Sequence, residues 1–475
     1  MFKFTSRKTL LALSVAACLS GQAVANDTAI VLQTNTGNQE NLVQLVQTGT
    51  ATSDNFIIAQ QVGSGNETDI QQSGTANEID TYSGGDANSV LLTQSGSSHL
   101  MLVEVEGNNN LVEVNQMGVA QEATALVQGD DNQISIVQDG GLNWTLAEFR
   151  GNGNSYEALQ DGVFNESAVI GGLGNDNTVA IEQDGFANVG GIVGLRGNNN
   201  DIAIQQFGDE NVFLARNFSG NNNELNIFQD GSGNEFQINP LNGNDNVVFV
   251  DQVGANNLIE APIGISGDNN TYDFVQAGDD NYIFFASVGS GHDLMISQTG
   301  NNNNGEMILV GNANVGTIET TGDNNYAGIG LVGNANNGRI SQNGSDNFAL
   351  LDVAGDRNRL NVNQAGNANE VIVTGESVNN NNVTVNQRNG DLNLVDVLLE
   401  GNGNTLNVLQ RGSQNWVGGD NAPSFRVAGD NGTVLITQQG SDNLVLGAQG
   451  GVDNVLQVVQ IGSFNTAIVN QNAPN

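Results

Sequence analysis

Apolar side chains in this chain recur at every second residue over short spans, and the same polar residues bracket each span. Counted from a turn asparagine, positions +2 and +4 are small or apolar: Val112 and Val114, Ile134 and Ile136, Val179 and Ile181, Leu225 and Ile227, Tyr272 and Phe274, Leu360 and Val362, Leu406 and Val408. Position +6 carries Gln and position +8 Gly. Period-two alternation marks a half-buried strand, so Asn, the two apolar residues and Gln face inward while +1, +3 and +5 face solvent. Each unit of about eleven residues is one short strand and a tight turn.

The unit returns from Asn55 almost to the end, and every second return is preceded by Gln, as in Gln94-Ser-Gly-Ser-Ser-His99 and Gln116-Met-Gly-Val-Ala-Gln121. Turns without Gln lie between, for example Glu106-Gly-Asn-Asn-Asn110. Two strands and two turns therefore make one coil. The expected fold is all-β, a β-solenoid of about 19 two-strand coils of about 22 residues each, stacked at the cross-β spacing of about 4.8 Å. Asn257 to Asn270 with Pro262, Gly375 to Asn393, and Val417 to Gly432 with Pro423 depart from the period and read as bulges or loops. The expected organisation is a leader over 1–25, an N-terminal segment over 26–40 and the solenoid over 41–475.

Stacking puts equivalent amides above one another, where they can bond in ladders. The glutamines expected there are Gln94, Gln116, Gln138, Gln160, Gln183, Gln206, Gln229, Gln252, Gln276, Gln298, Gln342, Gln364, Gln410 and Gln460. The asparagines are Asn110, Asn143, Asn165, Asn188, Asn211, Asn234 and Asn465. Gly96, Gly118, Gly140, Gly162, Gly185, Gly208, Gly231, Gly254, Gly278 and Gly300 sit where a turn needs positive φ. A single coil buries too little to offset its ordering, so stability must come from the coils above and below. The last repeat, Gln460 to Asn465 followed by Ala467, Val469 and Gln471, shows no capping element, which places an assembly edge at Gln460, Asn465 and Gln471.

Composition narrows the function. Lys3, Arg7 and Lys8, the apolar run Leu10–Leu19 and Ala23-Val-Ala25 form a secretory signal peptide. Val15-Ala-Ala-Cys18 also resembles a lipoprotein cleavage box, but the Ala-x-Ala site is the better formed. Cys18 is the single cysteine, so the exported chain has no thiol for disulfides, metals or catalysis. The formal charge is −39 and no lysine follows the leader. Nucleic acid is thereby disfavoured as a partner, and no later run is long enough for stable membrane insertion. His99 and His292 occupy turn-Asn slots and read as Asn substitutes rather than bases or ligands. Trp144 and Trp416 follow turn asparagines and should face outward. Gly328-Ile-Gly-Leu-Val-Gly333 matches a dinucleotide fingerprint but lies inside the repeat with no helix after it. No catalytic, cofactor or metal site is nominated.

The pattern Gln-x-Gly-x-x-Asn-x-φ-x-φ-x-Gln, behind a signal peptide, resembles the curlin repeat of the curli amyloid subunits. That resemblance implies a secreted, non-enzymatic protein assembling with itself into extracellular fibres of a biofilm matrix, with a nucleator subunit and an outer-membrane secretion pore as further partners. Here the second Gln slot usually holds another residue, as with Val105, Val127, Phe149, Leu309, Val353 and Leu399. Both slots hold Gln mainly near the ends, at Gln61 and Gln72 and at Gln449, Gln460 and Gln471. The competing reading is a monomeric β-solenoid acting as a surface adhesin or surface-binding protein.

Overall fold

In a computed structural model of the chain, residues 27–49, 53–169, 171–192 and 194–471 are described. The leader, with Cys18, lies outside them. The described residues form strands and turns and no helix. Successive arms alternate between two parallel sheets, one of 26 strands and one of 19; the first has more because some of its arms are broken into two strands. Pairing is in register, so that Gln138 lies between Gln116 and Gln160. The result is a β-solenoid of about 19 coils, a rod on the order of 90 Å long.

Every apolar pair identified from the alternation is buried, from Val112 and Val114 to Leu406 and Val408. The two sheets close face to face on a core one side chain deep. Tyr156, Phe149, Phe213, Phe236, Tyr272, Phe274 and Phe285 are its largest members. In the +6 slot the sheets differ. Between the Gln-bearing ends, the second sheet carries Gln there except at Thr320, while the first mostly carries apolar residues such as Val105, Val127, Phe149, Leu309 and Val353, all buried. One wall of the core is thus amide and the other hydrocarbon.

The ten turn glycines expected from the sequence have φ between 96 and 135°. Stacking adds a second constraint that the local turn does not show. A Cβ on Gly118 would fall 1.9 Å from the carbonyl oxygen of Gly140, and one on Gly140 would fall 2.1 Å from that of Gly162. The residue just before the turn Asn is also left-handed whatever its type, including Ala120, Leu142, Phe164 and Ala187 at φ 55–63°. Such residues are held there by the rungs on either side, against their own preference.

Two expectations need correction. The expected N-terminal segment over 26–40 is not separate in its described part, because Thr28–Asn35 is already a rung, paired in register with Phe56–Ser64. The irregularities are also more extensive than the sequence suggested. Five consecutive arms of the first sheet are broken, from Glu166–Val169 and Gly172–Leu173 to Leu258–Ala261 and Ile265–Ser266. Partners along the Asn column are 22 residues apart at Asn132 and Asn110 but 23 apart at Asn177 and Asn154. An extra residue in one rung leaves backbone groups unpaired unless the next rung repeats it, so the bulge propagates.

Gly208→Ala tests the stacking constraint. Its Cβ would lie 2.2 Å from the Gly231 carbonyl oxygen at φ 96°, and we expect destabilisation of at least about 2 kcal/mol, measured by denaturant unfolding. Ala at the left-handed but open position of Asn199 should cost less than about 1 kcal/mol, since the chain already places Ala at equivalent sites such as Ala187.

Candidate assembly surface

The glutamines form a directed ladder. From Gln47 to Gln298, each Gln Nε2 donates to the Oε1 of the Gln one rung nearer the C-terminus, at 2.8–3.0 Å. A second run continues from Gln342 through Gln364, Gln387, Gln410 and Gln438 to Gln460. Gln47, Gln72, Gln387 and Gln438 belong to the ladder beyond the glutamines expected from the sequence. Gln47 and Gln387 stand at +6 from Asn41 and Asn381, while Gln438 lacks that marker because Gly432 holds the Asn slot. The other Nε2 hydrogen ties the sheets together, as from Gln94 to the Glu78 carbonyl at 3.0 Å and from Gln138 to that of Glu122 at 3.1 Å.

The asparagines form two columns, one entering each sheet, and their amide-to-amide bonds point the other way. Asn110 Nδ2 donates back to Asn88 Oδ1 at 3.0 Å, on the second-sheet side. On the first-sheet side Asn188 donates to Asn165, Asn211 to Asn188, Asn234 to Asn211 and Asn465 to Asn443. Asn143 Oδ1 accepts the Asn165 N–H at 3.0 Å, while its own Nδ2 donates to the carbonyls of Asp139 and Gly162. His99 fills one such slot: its Nδ1 accepts the Gln121 N–H at 3.3 Å, leaving Nε2 to donate to the Ser95 carbonyl at 3.3 Å. Burial lowers the pKa of His99, against the weaker upward pull of the Ser95 and Gly118 carbonyls. A neutral imidazole thus reproduces the acceptor and donor of asparagine.

The ladder has one gap. Thr320 takes the Gln slot between Gln298 and Gln342, and the Thr320 hydroxyl and the Gln342 Oε1 are buried without hydrogen-bond partners. On the outer faces, burial raises the pKa of several carboxyl groups: Asp80, with Glu78 adding to it; Glu104, with Glu106 and Asp80; Asp251, with Asp273 and Asp230; and Asp273, with Asp293. A shallow groove bounded by Asp352, Thr374, Glu376 and Glu400 opens on the first sheet. Arg426 bridges to Glu400 there. Among the described residues no group of three or more His, Cys, Asp or Glu side chains could hold a metal ion.

At the C-terminal tip the outermost strands are Val455–Ile461 and Thr466–Gln471; at the N-terminal tip they are Thr28–Asn35 and Leu42–Thr48. None of the four contains a charged residue, in a chain of net charge −39. Their sequences are TAIVLQTN, LVQLVQT, VLQVVQI and TAIVNQ. Ile461 is 73% exposed, Ile468 58% and Val46 56%. Gln460 accepts from Gln438 at 3.0 Å and donates one hydrogen to the Leu444 carbonyl at 3.0 Å. Gln471 donates to the Val455 carbonyl at 3.4 Å, and its Oε1 has no partner. The three edge residues expected from the sequence therefore share one tip. Trp416 is exposed and Trp144 half-buried, both on the outer face of the first sheet.

The curlin associated repeat matches residues 85–118, 107–140, 174–208, 267–300 and 333–366. Each match begins and ends on a left-handed turn glycine, from Gly85 and Gly118 to Gly333 and Gly366, and so spans three arms of the rod. This chain is a curlin-repeat protein. Membership implies a protein outside the cell or at its surface. A search of curated proteins finds no match to the chain. In this curlin-repeat protein the amides are shared between neighbouring rungs, so a terminal rung is left with half its bonds unmade.

Two measurements follow. Thr320→Gln should close the gap by accepting from Gln298 and donating to Gln342, raising stability by about 1 kcal/mol in denaturant unfolding; a loss would show that the slot cannot hold the longer side chain. The raised carboxyl groups bind protons more readily folded than unfolded. Their stabilising contribution is present below the ordinary carboxylate range and lost as pH rises through the raised values. The melting temperature should therefore be higher near about pH 4 than at neutral pH.

Proposed function

We propose that this curlin-repeat protein is a secreted structural protein, not an enzyme, that assembles with itself into curli-like extracellular cross-β fibres of a biofilm matrix, mediating adhesion and aggregation. The carrying observation is that, among the described residues, the four outermost strands of an otherwise strongly acidic rod carry no charge and lie at the open edges of its two sheets. Edge strands of folded proteins are usually blunted by charges, proline or a covering element. Here charge is withheld from the four strands where it would block stacking, and abundant on the flanks, where it opposes sideways association. A nucleator subunit and an outer-membrane secretion pore are the partners this reading adds. Removal of residues 1–25 on export is part of it.

The test is assembly of the exported chain in vitro. Fibres with a reflection near about 4.8 Å and amyloid-dye binding are expected, forming faster at low pH or high salt, where carboxylate repulsion is weakened. Replacing Gln460, Asn465 and Gln471 with Ala should slow assembly more than replacing Gln183 and Asn188. A chain that stayed monomeric under both conditions would instead be a solenoid adhesin.

A further inference from the structure

We infer that copies of this chain join in one direction only, the C-terminal tip of one receiving the N-terminal tip of the next after half a turn about the rod axis. This deepens the self-assembly reading and rests on it.

The direction comes from the side-chain bonds. Apart from the gap at Thr320, the second-sheet Gln ladder donates toward the C-terminus, so Gln460 keeps one amide hydrogen for a rung beyond the tip. Gln471, at the same slot in the first sheet, commits one hydrogen to the Val455 carbonyl and keeps the other. At the other tip Gln47 and Gln33 donate inward, to Gln72 at 2.9 Å and Gln61 at 2.8 Å, leaving their Oε1 atoms as acceptors facing out. The asparagine columns run oppositely. Asn66 N–H donates back to Asn41 Oδ1 and Asn465 N–H to Asn443 Oδ1, which leaves the Asn465 Oδ1 facing out at the C-terminal tip and the Asn41 N–H facing out at the N-terminal one. The C-terminal tip thus offers Gln donors and an Asn acceptor, and the N-terminal tip Gln acceptors and an Asn donor. Two like tips would set donor against donor. Unlike tips match, and a contact between different surfaces does not close on itself, so it continues as a filament.

The half turn comes from the count of arms. Thr28–Asn35 and Thr466–Gln471 both lie in the first sheet. Each arm sits half a step above the one before: Gln160 Nε2, on a second-sheet arm, reaches the carbonyls of Trp144 at 3.2 Å and Asn165 at 3.0 Å, which belong to the first-sheet arms below and above it. After Thr466–Gln471 the next place to fill is therefore in the second sheet, on Val455–Ile461. The incoming Thr28–Asn35 reaches it by a half turn, and Leu42–Thr48 then covers Thr466–Gln471. Spacing allows this, since Asp27 to Gln33, Asn41 to Gln47, Asn454 to Gln460 and Asn465 to Gln471 share one Asn-slot-to-Gln separation. Without rotation, TAIVLQ would lie on the closely similar TAIVNQ. That arrangement leaves the second sheet one strand short, with two open edges facing an empty layer, which like-on-like side-chain contact does not offset.

Cross-linking reads both features. The exported chain has no cysteine, and in-register neighbours about 4.8 Å apart fall within disulfide reach. Ile30 and Gln457 are both outward and exposed, at equivalent places in their strands. Fibres of Ile30→Cys/Gln457→Cys, oxidised mildly, should give a ladder of covalent multimers on non-reducing gels. Ile30→Cys and Gln457→Cys alone should give none. Dimers from either single variant would overturn the direction, and a ladder from Ile30→Cys/Ile468→Cys in place of the first pair would overturn the half turn. Fibre formation under reducing conditions checks that each variant folds; Leu32→Cys/Val459→Cys replaces Ile30→Cys/Gln457→Cys if that pair fails the check and is read the same way. Fibres without a ladder in either half-turn pair sink this inference. No fibres from the unsubstituted chain sink the self-assembly reading instead.

Discussion

Parallel, in-register stacking puts every side chain on top of its own counterpart one rung away, and the rest of this molecule follows from that. An apolar residue finds an apolar residue, as Ile134 does between Val112 and Tyr156. An amide finds an amide and gains two bonds that a lone coil could not make. A turn glycine finds a carbonyl oxygen where a Cβ would be. A side chain that differs from its neighbours is penalised by the rung above and the rung below, which is why the repeat holds so closely over so many residues.

The same constraint sets what could be read from the sequence. Alternation at +2, +4 and +6 reports which face is inward, and the inward pairs from Val112 to Val408 all lie in the core. The insertions were less visible. The arm made by Val212–Ala215 and Phe218–Ser219 is one residue longer than Trp144–Arg150 while its remaining pattern is intact, and a one-residue change in period is easily absorbed when counting turns. The departures legible in the sequence were the larger ones, around Pro262, from Gly375 to Asn393 and around Pro423. The left-handed Leu142 and Phe164 could not have been found locally, because their own preference is for other conformations and the neighbouring rungs override it. Nor does a string of Gln and Asn say which way the amides point; that needs the offset between strands.

Direction has a physical origin. The Gln side chain is long enough for its Nε2 to reach the carbonyl at the start of a first-sheet arm, as Gln94 does with Glu78, and this fixes the amide plane. With one hydrogen committed across the core, the other can only continue along the axis. Asn is shorter and is held by its own turn: Asn77 Nδ2 donates to the Ser73 carbonyl at 2.9 Å, and its Oδ1 accepts the His99 N–H of the next rung. The two amides are therefore locked in opposite senses by the opposite ends of one arm. A rod built this way has two chemically different ends even though its coils are nearly alike.

Like on like is a liability for charge, and the acidic residues are placed accordingly. In the turn column where one side chain accepts the N–H of the rung before it, Asp86, Asn108, Asp130 and Asn152 alternate, and further on Asp279, Asn301, Asp323 and Ser345 do the same. No two carboxylates are adjacent in these stretches, although either residue type supplies the acceptor oxygen. Two unit charges at about 4.8 Å repel by about 1 kcal/mol even in bulk water, and more beside protein. Where adjacent carboxylates do occur, as at Asp139, Asp161 and Asp184, they are exposed strand-end positions in open water. Charge is thus tolerated on the flank, spaced out in the turns and absent from the four terminal strands, a gradation that follows how closely each place must approach its own copy.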